Sequence, residues 1–253
     1  MIYGMYLSAS GVLSNSHRQD VIANNLANSE TVGFKRDLAI SREQRTASAG
    51  RGLNAARHSN RMLEALGGGH RPHATRTDFA QGELEATGNP LDVAVQGKGY
   101  FALRDGSETR LTRDGRFSIN AAGYLVSATN GREVLDERGQ SIQFAGQGKA
   151  QVASDGTITQ AGALVGRIGI YDVANPERLR KRGEGVLACP ASMQPTPIDG
   201  TVRSEFVERA NVEPATELTA MMDAQRQIEA NANLIRYQDQ TLGRLVNDVG
   251  KIG

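Results

Sequence analysis

Tryptophan is absent and aromatics are scarce: 6 Phe and 6 Tyr make up 5% of 253 residues. Because large aromatic side chains supply much of a globule's buried area, one big self-sufficient core is not expected. Cys189 is the one cysteine, so no intrachain disulfide forms and the fold does not depend on an oxidising compartment. It reads as a small buried hydrophobe. No apolar run reaches the roughly 20 residues that span a bilayer, and mean hydropathy is −0.42. Direct membrane insertion is therefore not expected. Residues 1–16 carry no positive charge and no apolar stretch ending in a cleavage site, which argues against a cleaved secretory signal. Charge of one sign is missing too: Lys+Arg 29 against Asp+Glu 28 leaves a net charge of +1, which disfavours a whole-chain nucleic-acid coat.

Glycine, by contrast, is plentiful, with 29 against 7 prolines. In residues 90–209 short apolar-rich runs (92–95, 100–103, 117–119, 124–127, 133–135, 142–144) are separated by glycines at 106, 115, 123, 131 and 139. That spacing predicts a meander of antiparallel hairpins. Asp105-Gly106, Asp114-Gly115 and Asn130-Gly131 are dipeptides suited to two-residue turns. Further strands are expected at 157–159, 164–173, 186–189 and 201–208.

Both ends of the chain read as helix. Ile2, Ala9, Ser16 and Ala23 recur at sevens, as do Met5, Val12, Gln19 and Leu26, a thin apolar seam. At the C-terminus Met221, Ile228, Ile235, Leu242 and Val249 recur at strict sevens. Leu218, Gln225, Ala232, Asp239 and Val246 form a second row, and its Gln and Asp weaken it as a dimer zipper. Asn211 is the expected cap of this helix, with Glu213 and Pro214 suited to its start. Two such helices would be marginal alone and want burial by other copies.

Residues 35–76 hold nine basic residues against Asp37, Glu43 and Glu64. With Gly67-Gly68-Gly69 this reads as an extended arm, either a solvated linker or a segment that orders against an acidic partner surface. Interleaved aromatics are lacking, which disfavours nucleic acid. Catalytic chemistry is hard to find. His58, His70 and His73 are the best metal candidates, but Pro72 spoils helical presentation and no Cys or acid stands beside His70 and His73. Gly97-Lys98-Gly99 lacks the phosphate-loop pattern, and no nucleophile elbow exists. No catalytic, cofactor-binding or metal residues are expected.

Residues 20–36, Asp-Val-Ile-Ala-Asn-Asn-Leu-Ala-Asn-Ser-Glu-Thr-Val-Gly-Phe-Lys-Arg, resemble the N-terminal signature of bacterial flagellar axial proteins, the rod and hook subunits. Residues 92–101, 111–117 and 120–125 resemble that family's shared β domain. Residues 210–214, with Glu217-Leu218, Met221-Met222, Gln225-Arg226 and Glu229-Ala230-Asn231, resemble its closing helix. The Glu30 and Val32 positions depart from the family's usual small polar and turn residues, and the basic arm has no clear counterpart.

The resemblance implies an α+β subunit whose N- and C-terminal helices form a coiled-coil-like inner layer, with one central all-β domain of antiparallel hairpins as the outer layer. Expected divisions are 1–34 (axial helix), 35–89 (basic arm), 90–209 (β domain) and 210–253 (axial helix). It also implies a structural role: export by the flagellar type III apparatus without a cleaved signal, then helical polymerisation into a torque-transmitting, periplasm-spanning rod. Partners would be copies of itself, other rod and hook subunits, the export apparatus and the surrounding bushing ring. A heterologous, non-closing contact is what generates such a helix. Met5, Val12, Leu26, Met221, Ile228, Ile235, Leu242 and Val249 are assigned to the assembly seam, with intrachain packing of the two helices as the alternative. Asn24, Asn25 and Asn28 would fix register between helices, Asn28 alternatively serving as a cap. About 120 residues of β leave no room for the extra outer domain usual in a hook subunit, so a rod subunit is favoured over a hook-type one. From a different class stand a metal-dependent hydrolase using His58, His70 and His73, and a basic-arm adaptor for an acidic polymer or surface.

Overall fold

A computed structural model describes residues 2–44, 68–106, 108–146 and 148–249. The chain opens with helix α1 (Ile2–Ala27) and closes with helix α2 (Pro214–Val249). Between them run β1 (Asp37–Leu38), β2 (Ser41–Glu43), β3 (His70–Pro72), β4 (Arg76–Thr77), β5 (Leu84–Ala86) and β6 (Val93–Gln96). There follow β7 (Tyr100–Asp105), β8 (Glu108–Thr112), β9 (Phe117–Ile119), β10 (Leu125–Ser127), β11 (Ala150–Val152), β12 (Thr157–Gln160) and β13 (Ala163–Arg167). The last strands are β14 (Ile170–Asp172), β15 (Arg180–Lys181), β16 (Val186–Ala188), β17 (Thr196–Pro197), β18 (Thr201–Ser204) and β19 (Phe206–Glu208). The fold is α+β, as expected.

Two compact units emerge: residues 1–27, 37–76 and 213–253 form a helical unit, and residues 28–36 and 77–212 form a β unit. The N-terminal signature and the extended arm are thus each divided between them. Residues 45–67, which include Arg45, Arg51, His58 and Arg61 of the arm, lie outside the described residues.

In the helical unit α1 packs along α2, and β2 pairs antiparallel with β3. Gly4 and Gly11 sit inside α1, where each costs about 1 kcal/mol against Ala, so tertiary packing rather than propensity holds this helix. Proline takes the first position of α2 and Glu217 its first turn, favourable placements for a missing donor and for the positive helix end. Asn211 does not cap it: its amide is engaged in the β unit instead, accepting from the Arg36 N–H at 2.6 Å and donating to the Asp78 carbonyl at 3.0 Å. No helix among the described residues is long and apolar enough to cross a membrane.

The β unit is built on a six-stranded antiparallel sheet of order β15-β16-β8-β7-β14-β17, flanked by the three-stranded β11-β12-β13 and by paired ribbons. One core, with Val93, Phe101, Leu103, Phe117, Val134 and Ile158, fills one side of β7; Tyr100, Ala102, Leu111, Leu135 and Leu187 fill the other. Strand β7 therefore reads as a continuous apolar run because both of its faces are covered. Cys189 is half-buried against the second core, where burial raises its thiol pKa.

Gly106 and Gly131 occupy the left-handed region at φ 62 and 70, as their turn dipeptides predict. Asp114-Gly115 is different. A side chain on Gly115 would begin 1.6 Å from the Val93 carbonyl oxygen, so this glycine answers close backbone approach, not a hairpin turn. Asp114 is buried and binds Arg116 and Thr129.

Candidate functional site

Gly4 and Gly11 fix the register of the helix pair. An added Cβ at Gly4 would lie 2.6 Å from the Gln238 amide, and one at Gly11 would lie 2.9 Å from that of Asn231. The helices are therefore antiparallel, with 4 opposite 238 and 11 opposite 231, seven residues apart on both. On α1, Met5, Val12 and Leu26 are partly buried, whereas Ala9, Ser16 and Ala23 of the other sequence row face outward. On α2, Met221, Ile228, Ile235 and Leu242 are likewise partly buried. Val249 ends the helix, and its side chain lies outside the described residues.

The second row of α2 is a correction. Leu218 and Val246 are 51% and 71% exposed, and Gln225 and Asp239 also point outward. Alongside Met221, Ile228, Ile235 and Leu242 the inward row is instead Glu217, Ala224, Asn231 and Gln238, offset by four residues. Sequence reading passed over it because three of its four members are polar; the signal was the matching seven-residue spacing of Gly4 and Gly11. Small residues on one helix give room for long polar ones on the other.

Asn25 is almost fully buried and closes a reciprocal pair of hydrogen bonds with the Asp37 backbone, donating to its carbonyl at 2.8 Å and accepting from its N–H at 2.9 Å. Its amide thus pins the chain returning along α1. Asn24 is exposed, and the Asn28 carbonyl and side chain take the N–H and hydroxyl of Thr31 in the turn after the helix. Among the described residues no group of three or more His, Cys, Asp or Glu could hold a metal ion; His70 lies on β3, His73 follows it, and His58 is outside the described residues.

The β unit contains a buried charge cluster that pattern reading missed. Glu208, fully buried, accepts from the Lys35 ammonium and the Gly82 N–H (2.9 Å) on Oε1 and from Arg113 Nη1 (2.9 Å) on Oε2. Lys35 also donates to the Ala80 carbonyl at 2.8 Å, and Arg113 to that of Gly97 at 2.8 Å. The Gly33 N–H reaches the Glu208 carbonyl at 2.7 Å. Desolvation lowers the pKa of Lys35, opposed mainly by the Glu208 charge. Such a cluster ties residues 33–35, 80–82, 97, 113 and 208 at one point through fully directed contacts. The Lys35 ammonium and both terminal nitrogens of Arg113 are spent on the protein, and Arg113 Nε is left buried without a hydrogen bond. The residues lie in three of the stretches that carry the family resemblance or abut them, but widely separated charges give no local pattern to read.

Three family profiles match the chain in order: "Flagella basal body rod protein" over residues 5–35, "Flagellar hook protein FlgE/F/G D1 domain" over 94–164, and "Flagellar basal body rod FlgEFG protein C-terminal" over 203–248. The chain is 32% identical over 249 residues to flagellar basal-body rod protein FlgF of Mesorhizobium japonicum, covering 97% of each. It is 30% identical to FlgF of Caulobacter vibrioides over 98% of each, and 32% identical to rod protein FlgG of Bacillus subtilis over 98% of this chain and 99% of the relative. With its helix, β unit and closing helix matched in sequence and in order, the chain belongs to the flagellar basal-body rod protein family.

Proposed function

We propose that this structural rod subunit polymerises helically through its terminal helices, with copies of itself and other axial subunits, into the shaft that carries torque to the hook. The carrying observation is where the chain leaves apolar surface uncovered. Of the eleven exposed large hydrophobics among the described residues, eight (Tyr6, Leu13, Leu218, Met222, Leu234, Tyr237, Leu245 and Val246) lie on the two helices, the others being Leu38, Ile119 and Leu164. With residue 4 opposite 238, α2 runs on past the start of α1 by about nine residues, some 13 Å at 1.5 Å per residue. Leu245 and Val246 sit on that overhang, 45% and 71% exposed. A monomer gains nothing from such surface, whereas a neighbouring helix would bury it at about 25 cal/mol per Å².

In this reading Met5, Val12, Leu26, Met221, Ile228, Ile235, Leu242 and Val249 build the helix pair that polymerises. Asn24, Asn25 and Asn28 support its geometry. The role is structural and not catalytic. The subunit is exported by the flagellar type III apparatus without a cleaved signal peptide, lies in the basal body across the periplasm, and meets the surrounding bushing ring. The test is Leu245→Asp with Val246→Asp. The double variant keeps the helical signal and melting temperature of the parent, is absent from isolated basal bodies and does not support swimming. Normal swimming with the variant present in basal bodies would overturn the proposal.

A further inference from the structure

The ribbon of the helical unit sets two like charges face to face. In the β2–β3 register Ser41 opposes Pro72, Arg42 opposes Arg71 and Glu43 opposes His70. Backbone bonds from the Gln44 N–H to the Gly69 carbonyl and from the His73 N–H to the Ile40 carbonyl, both 2.8 Å, hold both ends of this short ribbon. Directly opposed residues share a face, with Cβ atoms about 5 Å apart, and like charges so placed are destabilising. Both arginines are exposed, and neither has an ion pair with another described residue. Glu43, next along β2, points to the opposite face by strand alternation. On that opposite face lies a cleft of about 260 Å³ whose lining includes His17, Arg18, Ser41 and His70 and contains no carboxylate.

We infer that this ribbon is a docking surface for an acidic segment of another protein subunit, with Arg42 and Arg71 jointly gripping its carboxylates. Two planar guanidiniums side by side offer parallel N–H donors that match a carboxylate bidentately. A carboxylate seated between them also removes the repulsion that the free ribbon carries. Other polyanions fit less well. A nucleic-acid strand wants stacking aromatics along a basic groove, and an anionic lipid surface wants four to eight clustered cations. The ribbon presents two guanidiniums on one face.

Fluorescence anisotropy of a labelled hexaglutamate peptide with the full-length chain at about 50 mM salt tests this independently of polymerisation, since it reads the unassembled subunit. The expected result is saturable binding that weakens at least tenfold in R42E/R71E and with added salt, but less than threefold in the charge-matched R226E/R236E. R42Q/R71Q, which introduces no new charge, is expected to weaken binding by about the same factor as it removes guanidiniums, and serves if the reversal fails to fold. Equal weakening in both charge-reversed proteins, or none, would overturn the inference. So would tighter binding of a labelled oligothymidylate of equal charge or of phosphatidylserine vesicles, or displacement of the peptide by inorganic phosphate at equal concentration.

Discussion

Arg113 Nη1 lies 2.9 Å from Glu208 Oε2, on a carboxylate whose other oxygen is held by Lys35. One buried acid thus serves two buried bases, leaving the cluster with a formal excess of one positive charge. Glu208 is in addition the last residue of β19, a few residues upstream of α2, while Lys35 lies eight residues after the end of α1. Within the β unit, the segment after α1 and the strand before α2 are thus joined by charge.

Removing the shared acid should therefore be worse than removing either base. Glu208→Ala leaves two buried cations with carbonyl partners but without the carboxylate between them, a change that costs about 3–5 kcal/mol for a buried pair. Lys35→Met keeps the Arg113 pair and the Gly82 contact, and its loss should be clearly smaller. Urea denaturation of the three proteins gives this order through the midpoints, with slopes unchanged; a Lys35→Met loss equal to that of Glu208→Ala would contradict it.

Two glycines in different units should respond differently to one methyl group. At Gly115 the added carbon meets the Val93 backbone oxygen at 1.6 Å, which only strand displacement relieves, so Gly115→Ala should cost about 3 kcal/mol or more. At Gly11 it meets the end of the Asn231 side chain at 2.9 Å, which can turn away, and the helix gains about 1 kcal/mol of propensity. Gly11→Ala is thus expected to fall within about 1 kcal/mol of the parent. Thermal melts followed by circular dichroism separate the two cases.

Burial pushes the Tyr100 phenol up to about 12, from an ordinary value near 10, with the Arg113 guanidinium 5.0 Å from its ring centroid partly opposing the shift. Between these values the folded chain keeps a proton that the unfolded chain has lost. Its contribution to stability is full below pH 10 and is lost as pH rises towards 12. Tyr100→Phe should flatten the fall in stability between pH 10 and 12 relative to the parent. An identical fall in both proteins would exclude this assignment.

Asn25→Ala deletes both hydrogen bonds to the Asp37 backbone and should cost about 1–3 kcal/mol. Asn25→Asp keeps the acceptor but buries a carboxylate oxygen against the Asp37 carbonyl, so its loss should be at least as large. Hydrogen exchange at the Asp37 amide reports the loss locally: it should speed up in Asn25→Ala and stay slow in the parent.

The heptad of Met221, Ile228, Ile235 and Leu242 was legible because apolar spacing reports a buried face directly. Its partner row was not, because Glu217, Asn231 and Gln238 are types that usually lie outside, and only the room above Gly4 and Gly11 brings two of them in. The β meander was legible from Gly106 and Gly131, where turn chemistry is local. Gly115 defeated the same rule, since its reason is the Val93 backbone some twenty residues earlier in sequence. Asn211 defeated the capping rule likewise, because Arg36 and Asp78 compete for its amide. The Lys35–Arg113–Glu208 cluster depends on residues far apart in sequence, and no spacing could announce it.

Helix axes settle about 8–10 Å apart, at the near end where the contact residues are small. With Gly4 and Gly11 at the contact, α1 and α2 present a slimmer cross-section than a pair zipped by leucines. A tube walled by such pairs fits more helices into a given circumference, and leaves a wider bore for the same outer diameter.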